Sequence, residues 1–193
     1  MPNSNWAKTV QLLTATVITF CIYSPSVQAA IIEQNLLELP TTIVRNRLIS
    51  SGIAVYQRGD YDSAVYLLQN FLSPHRLITT PLEKSAINYL ALAYQARGES
   101  AQATATIQRA IDVVNNSTLE LATAEYNAGI IAALQNEQSI ANQHWETARQ
   151  LYKERQYERE WVKTTLKLVQ GHRALGNLPK SRRLLQELKA IEP

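Results

Sequence analysis

Between Ala86 and Val114 apolar and polar positions alternate with the period of an α-helix, twice over. Ile87, Leu90 and Tyr94 recur at helical spacing, Gly98 interrupts, and Ala103, Ile107 and Ile111 take the period up again. Two amphipathic helices this short bury too little apolar surface alone, so the pattern predicts an antiparallel pair that needs neighbours. Similar pairs flank it. Behind Pro40, Thr41 or Thr42 caps a predicted helix from Ile43 to Gln57, Gly59-Asp60 turns the chain, and a second helix runs from Tyr61 to Leu72 before Ser73-Pro74. A longer connection from Pro74 to Pro81 leads to Thr80-Pro81-Leu82-Glu83, a helix start with proline in the first turn. Asn115-Asn116-Ser117 closes the second pair. The third is predicted at Leu119 to Leu134 and Ser139 to Tyr152, the fourth at Tyr157 to Leu175 and Pro179 to Ile191.

The breaks inside the pairs fall at Gly59, Gly98, Asn136 and Gly176, spaced 39, 38 and 40 residues apart. Glycine and asparagine tolerate the left-handed backbone with which a helix ends and the chain reverses, so this is an internal repeat. Small residues recur in step with it. The first helices offer Gly52, Ala91 and Gly129 where two helices must cross closely, and five residues past each break the second helices offer Ala64, Ala103, Ala141 and Ser181. A large side chain at such a crossing costs about 1–3 kcal/mol. Ala110 and Ala148, seven residues further on, are the expected docking positions of the next pair.

These residues resemble the tetratricopeptide repeat (TPR), with its small residue midway along the first helix, a tyrosine three later, glycine at the turn and alanine at two points of the second helix. The second repeat matches best, through Leu90-Ala91, Tyr94, Gly98, Ala103, Ala110 and Ile111. The first fits at Gly52, Gly59, Tyr61 and Ala64 but has Phe71 in place of the later alanine. The third fits at Gly129, Ala141, Trp145 and Ala148, with Ala132 replacing the tyrosine, and the fourth keeps Gly176, Ser181 and Leu185, as a terminal repeat does. The resemblance covers residues 43–191 and implies a right-handed α-solenoid of about four helix-turn-helix repeats. A spacing of 38–40 against the usual ~34 implies longer connections between pairs. The stretch NYLALAYQARGESAQA is also similar to repeats that precede CHAT-type peptidase-like domains in filamentous bacteria and cyanobacteria; these 193 residues carry the repeat part of that architecture.

The first thirty residues follow another pattern. After Lys8 no charged residue occurs from Thr9 to Ile32; Val10 to Tyr23 is an apolar run, Pro25 breaks it, and Val27-Gln28-Ala29 places small residues where a signal peptidase reads. The reading is a secretory signal at 1–29, a lead-in at 30–42 and a repeat domain at 43–193. The alternative is a membrane anchor formed by residues 9–32, although fourteen moderately apolar residues are short against the ~20 that span a bilayer. Thr19-Phe20 does not offer the small residues that a lipid anchor on Cys21 requires. Cys21 is the only cysteine and leaves with the signal, so disulfide and thiolate chemistry are not expected, which suits an exported protein.

At 46% hydrophobic the chain has enough apolar residues for one continuous core. The net charge of +3 gives no expectation of nucleic acid. It is unevenly spread: from Val162 onward there are seven Lys or Arg against two Glu, and from Ala30 to Trp161 eleven against fourteen acidic residues. No catalytic signature occurs. His75, His144 and His172 fall in different repeats without metal-ligand spacing, no GxSxG or phosphate loop exists, and Glu154, Glu158 and Glu160 read as a solvated helix start, so neither metal nor cofactor is expected.

Binding residues are the better expectation. First helices of such a stack line its concave face, which selects Ser85, Asn88, Leu92 and Gln95 in the second repeat, Thr123, Tyr126, Asn127 and Ile130 in the third, and Lys163, Leu166, Lys167, Gln170 and Arg173 in the fourth. A peptide there would bond its backbone to Asn88 and Asn127 and direct an acidic end to Lys163, Lys167 and Arg173. Of the recurrent aromatics, Tyr56 and Tyr126 are expected to be exposed in the groove and the rest to pack between helices. Relatives that hold acidic chaperone tails carry lysine and asparagine on the inner face of the first repeat. Here Ile49 and Ile53 stand there, so that activity does not transfer. The expectation is a non-catalytic adaptor for a protein or peptide in an exported compartment, or else an accessory subunit of a larger envelope assembly or of a separately encoded CHAT-like peptidase.

Overall fold

The structure is a computed structural model that describes residues 41–72, 77–114 and 118–190. These form eight α-helices and, among the described residues, no strand: α1 (Thr41–Gln57), α2 (Tyr61–Phe71), α3 (Pro81–Ala96), α4 (Ser100–Asp112), α5 (Thr118–Leu134), α6 (Gln138–Glu154), α7 (Glu158–Ala174) and α8 (Leu178–Lys189). Two compact units divide the chain, Met1–Arg45 and Asn46–Pro193. Of the first, only 41–45 are described, within α1. The expected signal and anchor segments, His75 and Asn115-Asn116-Ser117 lie outside the described residues, as do the side chains of Thr41 and Thr42. α1 is helical from Thr41, two residues ahead of its expected start.

Each pair is closed by the same device. Gly59, Gly98, Asn136 and Gly176 adopt left-handed φ values of 84°, 78°, 65° and 71°. The next residue then donates its N–H back to a carbonyl five earlier: Asp60 to Val55 (3.2 Å), Glu99 to Tyr94 (2.9 Å), Glu137 to Ala132 (2.9 Å) and Asn177 to His172 (2.8 Å). This satisfies a carbonyl that the ending helix leaves unpaired. Helix starts are capped in turn. Asp60 accepts from the Ser63 N–H at 3.1 Å, and at α3 the Thr80 hydroxyl accepts from Glu83 N while the Glu83 carboxylate accepts from Thr79 N and Thr80 N.

The small residues sit where helices cross. Ala64, Ala91, Ala103, Ala110, Ala141 and Ala148 are fully buried, and Ser181 is 2% exposed. A Cβ on Gly52 would stand 2.7 Å from Leu68, and one on Gly129 only 2.3 Å from the Trp145 indole nitrogen, which donates to the Tyr126 carbonyl at 3.1 Å. Gly171, not singled out by the repeat pattern, meets Asn142 of α6 in the same way. From α2 onward every helix packs on the next in sequence, which with the direct contact of α3 and α5 makes an α-solenoid, the fold class expected. Its interior is two apolar clusters, one running from Ile49 to Ile131 and one from Ala122 to Leu184, with α5 contributing to both.

The wide repeat spacing is accommodated differently along the chain. Residues 72–80 and 113–117 are the longer connections expected between pairs, but α6 and α7 are joined by residues 155–157 alone. There the extra length is helical: α6 and α7 have 17 residues each, against 13 in α4. The α6–α7 turn copies the turns inside pairs, with Gln156 at φ 60° and Tyr157 N donating to Tyr152 O at 2.9 Å.

Candidate functional site

Where the first helices α3, α5 and α7 come together, they enclose a cleft of about 520 Å³. α3 and α5 touch directly, whereas α7 meets the stack mainly through α6, which leaves the space between α5 and α7 open. Tyr152, from the end of α6, stands in that opening.

Side chains on consecutive first helices are tied across the cleft. Lys84 Nζ of α3 pairs with Glu120 Oε2 of α5 at 3.2 Å. Asn88 Nδ2 donates to the Lys84 carbonyl at 3.0 Å, and its Oδ1 accepts from Asn127 Nδ2 of α5 at 3.3 Å. Thr123 Oγ1 donates to the Leu119 carbonyl at 2.9 Å, which makes the Tyr152 hydroxyl, 3.3 Å away, the donor to Thr123. On α7, Lys163 Nζ lies 4.8 Å from the centre of the Tyr126 ring, a cation over an aromatic face. Burial, with Tyr152 nearby as a second cause, pushes the Tyr126 hydroxyl above the usual phenol range. Burial likewise raises Tyr152 against the lowering effect of its Thr123 bond. Both phenols are therefore neutral donors at physiological pH.

The charges fall into two sets. Lys84 and Glu120 neutralise each other; Glu160 and Lys163 line the cleft without an ion pair among the described residues. Lys167 and Arg173 continue from Lys163 along the same helix, also without carboxylate partners there.

Of the residues expected to bind, the structure brings Ser85, Asn88, Leu92, Thr123, Tyr126, Asn127 and Lys163 to the cleft. Two were expected to be more open than they are. Asn88 and Tyr126 are each 7% exposed, because the neighbouring helix and the Lys163 side chain cover them, so the amide of Asn88 serves the helix contact first. Tyr56, expected in the groove, is half-buried between the rings of Tyr61 and Tyr89 at 5.4 and 5.3 Å. Gln95 does not reach the cleft and accepts from Gln135 at 2.8 Å; Ile130 packs on the second core cluster. Lys167, Gln170 and Arg173 lie on α7 outside it, and Leu166 is exposed there. Ile49 is wholly buried.

Sequence reasoning missed Lys84, Tyr89, Leu119, Glu120, Tyr152 and Glu160. Lys84 lies one turn before Asn88 and Glu120 two turns before Asn127, and Lys84 and Glu120 are 36 residues apart, near the repeat spacing, a signal that was available. Tyr152 belongs to a second helix, which the concave-face rule passes over. Outside the cleft, His144 Nδ1 lies 2.7 Å from Glu125, and His172 is buried against Asn142 at 3.5 Å. No described helix is long and apolar enough to cross a membrane.

No protein-family model matches the sequence, and no curated relative does. Among solved structures, MamA is similar over 75% of this chain and 80% of its own at 18% identity, with a TM-score of 0.59. The nearly identical TPR-like repeats of a putative kinesin light chain from Podosopora anserina are similar over 76% and 75% at 16% identity, with a TM-score of 0.65. The chain thus shares the fold of TPR-like repeat proteins.

Proposed function

We propose that this protein is a non-catalytic scaffold that binds an extended segment of a partner protein in the cleft between α3, α5 and α7. The observation that carries this reading is the cleft itself. It lies between three helices, its charged and amide groups are tied across neighbouring helices, and it offers apolar area beside the exposed ammonium group of Lys163 rather than a pocket around a reactive dyad. Preorganised side chains lose little freedom when a ligand arrives, which favours binding. Lys163 and Lys167 lie one turn apart on α7, with Arg173 nearer its end, and none has a carboxylate partner among the described residues, so the segment is acidic on the side that leaves the cleft along α7. The apolar run at Val10 to Tyr23 and the small residues before Ala30 support action in an exported compartment after cleavage.

The test is affinity purification from the native host with the parent chain and with the double variant Lys163→Glu, Lys167→Glu. Both lysines lack an ion pair among the described residues, so the variant should melt within a few degrees of the parent and recover the partner at least tenfold less well. Equal recovery by the two proteins overturns the cleft assignment. N-terminal sequencing of the recovered parent chain checks for a start at Ala30.

A further inference from the structure

We infer that the partner segment also carries a bulky apolar side chain, received by a second cavity beside the cleft, over Tyr152 and Trp161; this inference rests on the cleft reading above. The cavity, about 610 Å³, lies between the last turn of α6, the first turn of α7 and the end of α8, and is bordered by Arg149, Tyr152, Tyr157, Trp161, Glu187 and Ala190. α8, at 12 residues, is five shorter than α6, at 17, and its end borders the cavity through Glu187 and Ala190.

The lining favours an apolar occupant from the same ligand. Its floor is aromatic: Tyr152 is 4% and Trp161 6% exposed, with the Tyr157 ring standing edge-on to Tyr152 at 6.4 Å. Arg149 in the wall is already committed, since it pairs with Glu187, donates to Thr165 Oγ1 at 3.1 Å and lies 5.2 Å over the Trp161 ring; Lys153, Gln156 and Glu158 complete the lining. Continuity identifies the source of that side chain. Tyr152 borders both spaces, bonded to Thr123 on the cleft side, so a chain that leaves the cleft past Tyr152 reaches the cavity.

Twelve-residue peptides displayed on phage and selected against the full chain supply the probe. The enriched peptides should share a Trp, Phe or Leu at a fixed distance from an acidic pair. With one of them made synthetically and labelled, Ala190→Trp, which fills the mouth from an exposed position, should weaken binding tenfold or more, as should Lys163→Glu. Replacing the peptide's bulky residue by alanine should cost as much against the parent and nothing further against Ala190→Trp. Binding that depends on Lys163 but ignores Ala190→Trp overturns the cavity assignment alone. Binding that ignores both, or a selection that enriches nothing, overturns the cleft reading and this one with it. A dimer in light scattering that Ala190→Trp dissolves gives the cavity to a second copy of the chain and overturns the assignment.

Discussion

At Gly129 the helices of the third pair approach more closely than a methyl group allows, and the obstruction is the flat Trp145 indole, pinned by its bond to the Tyr126 carbonyl. Gly129→Ala should therefore destabilise the fold by about 1–3 kcal/mol in urea unfolding, and by much less in a Trp145→Leu background. Here the sequence signal was sound, because a small residue opposite a large one at helical spacing marks a crossing. The matching contact of Gly171 with Asn142 joins two pairs instead of the helices of one, and no repeat position announces it. Depth was equally illegible: spacing puts Asn88 and Tyr126 on the concave face but cannot say that the next helix will cover them. His172 shows what a covered polar residue does. Burial, and then Lys180 of α8, hold its imidazole below the ordinary 6.5, against the opposing pull of Glu146 on α6. Above pH 6.5 the ring is neutral folded or unfolded. As pH falls through that value the unfolded chain takes the proton first, so stability drops until the pH is below the folded value. Unfolding free energies at pH 7.5 and 5.0 should differ more for the parent than for His172→Gln.

Among the elements, the turns were the most legible and one of them the least. Among the described residues, four of the five left-handed ones are Gly or Asn and stand out at their spacing; the fifth is Gln156, a residue type that carries no turn signal. The α6–α7 connection, expected at residues 153–156, lies at 155–157, and the surplus of the repeat appears as extra helix in α6 and α7. That tight turn matters for the site, because it sets Tyr152 and Tyr157 against each other at the junction of cleft and cavity. A side chain held at φ 60° is strained by roughly 1 kcal/mol relative to glycine. Gln156→Gly should stabilise the protein by about 0.5–1 kcal/mol, read as a rise in Tm with an unchanged helical spectrum. No change, or a loss, would mean that the turn is held by contacts the Gln156 side chain itself makes.

Across the whole stack the two core clusters differ in kind. The first is closed by aliphatic and alanine side chains such as Ile49, Leu68, Ile87, Leu90 and Ile107. The second is interleaved with buried polar groups on α6, α7 and α8: Asn142, Thr164, Thr165, His172 and Ser181. Thr164 and Thr165 bond only to carbonyls of their own helix, one turn back, and so add no grip between helices beyond the single Arg149 bond to Thr165. In a repeat array each unit is held by its neighbours, and α8 buries only Ser181 and Leu184. The stack should therefore open first at α8. Hydrogen exchange should find α8 amides at least tenfold less protected than those of α3 and α5, with α7 between them. Because Glu160 and Lys163 belong to α7, a ligand in the cleft would close that opening as it binds, and slowed exchange confined to α7 and α8 is the expected mark of occupancy. Uniform protection from α3 to α8, with or without ligand, would show instead that the polar seam binds as firmly as the apolar core.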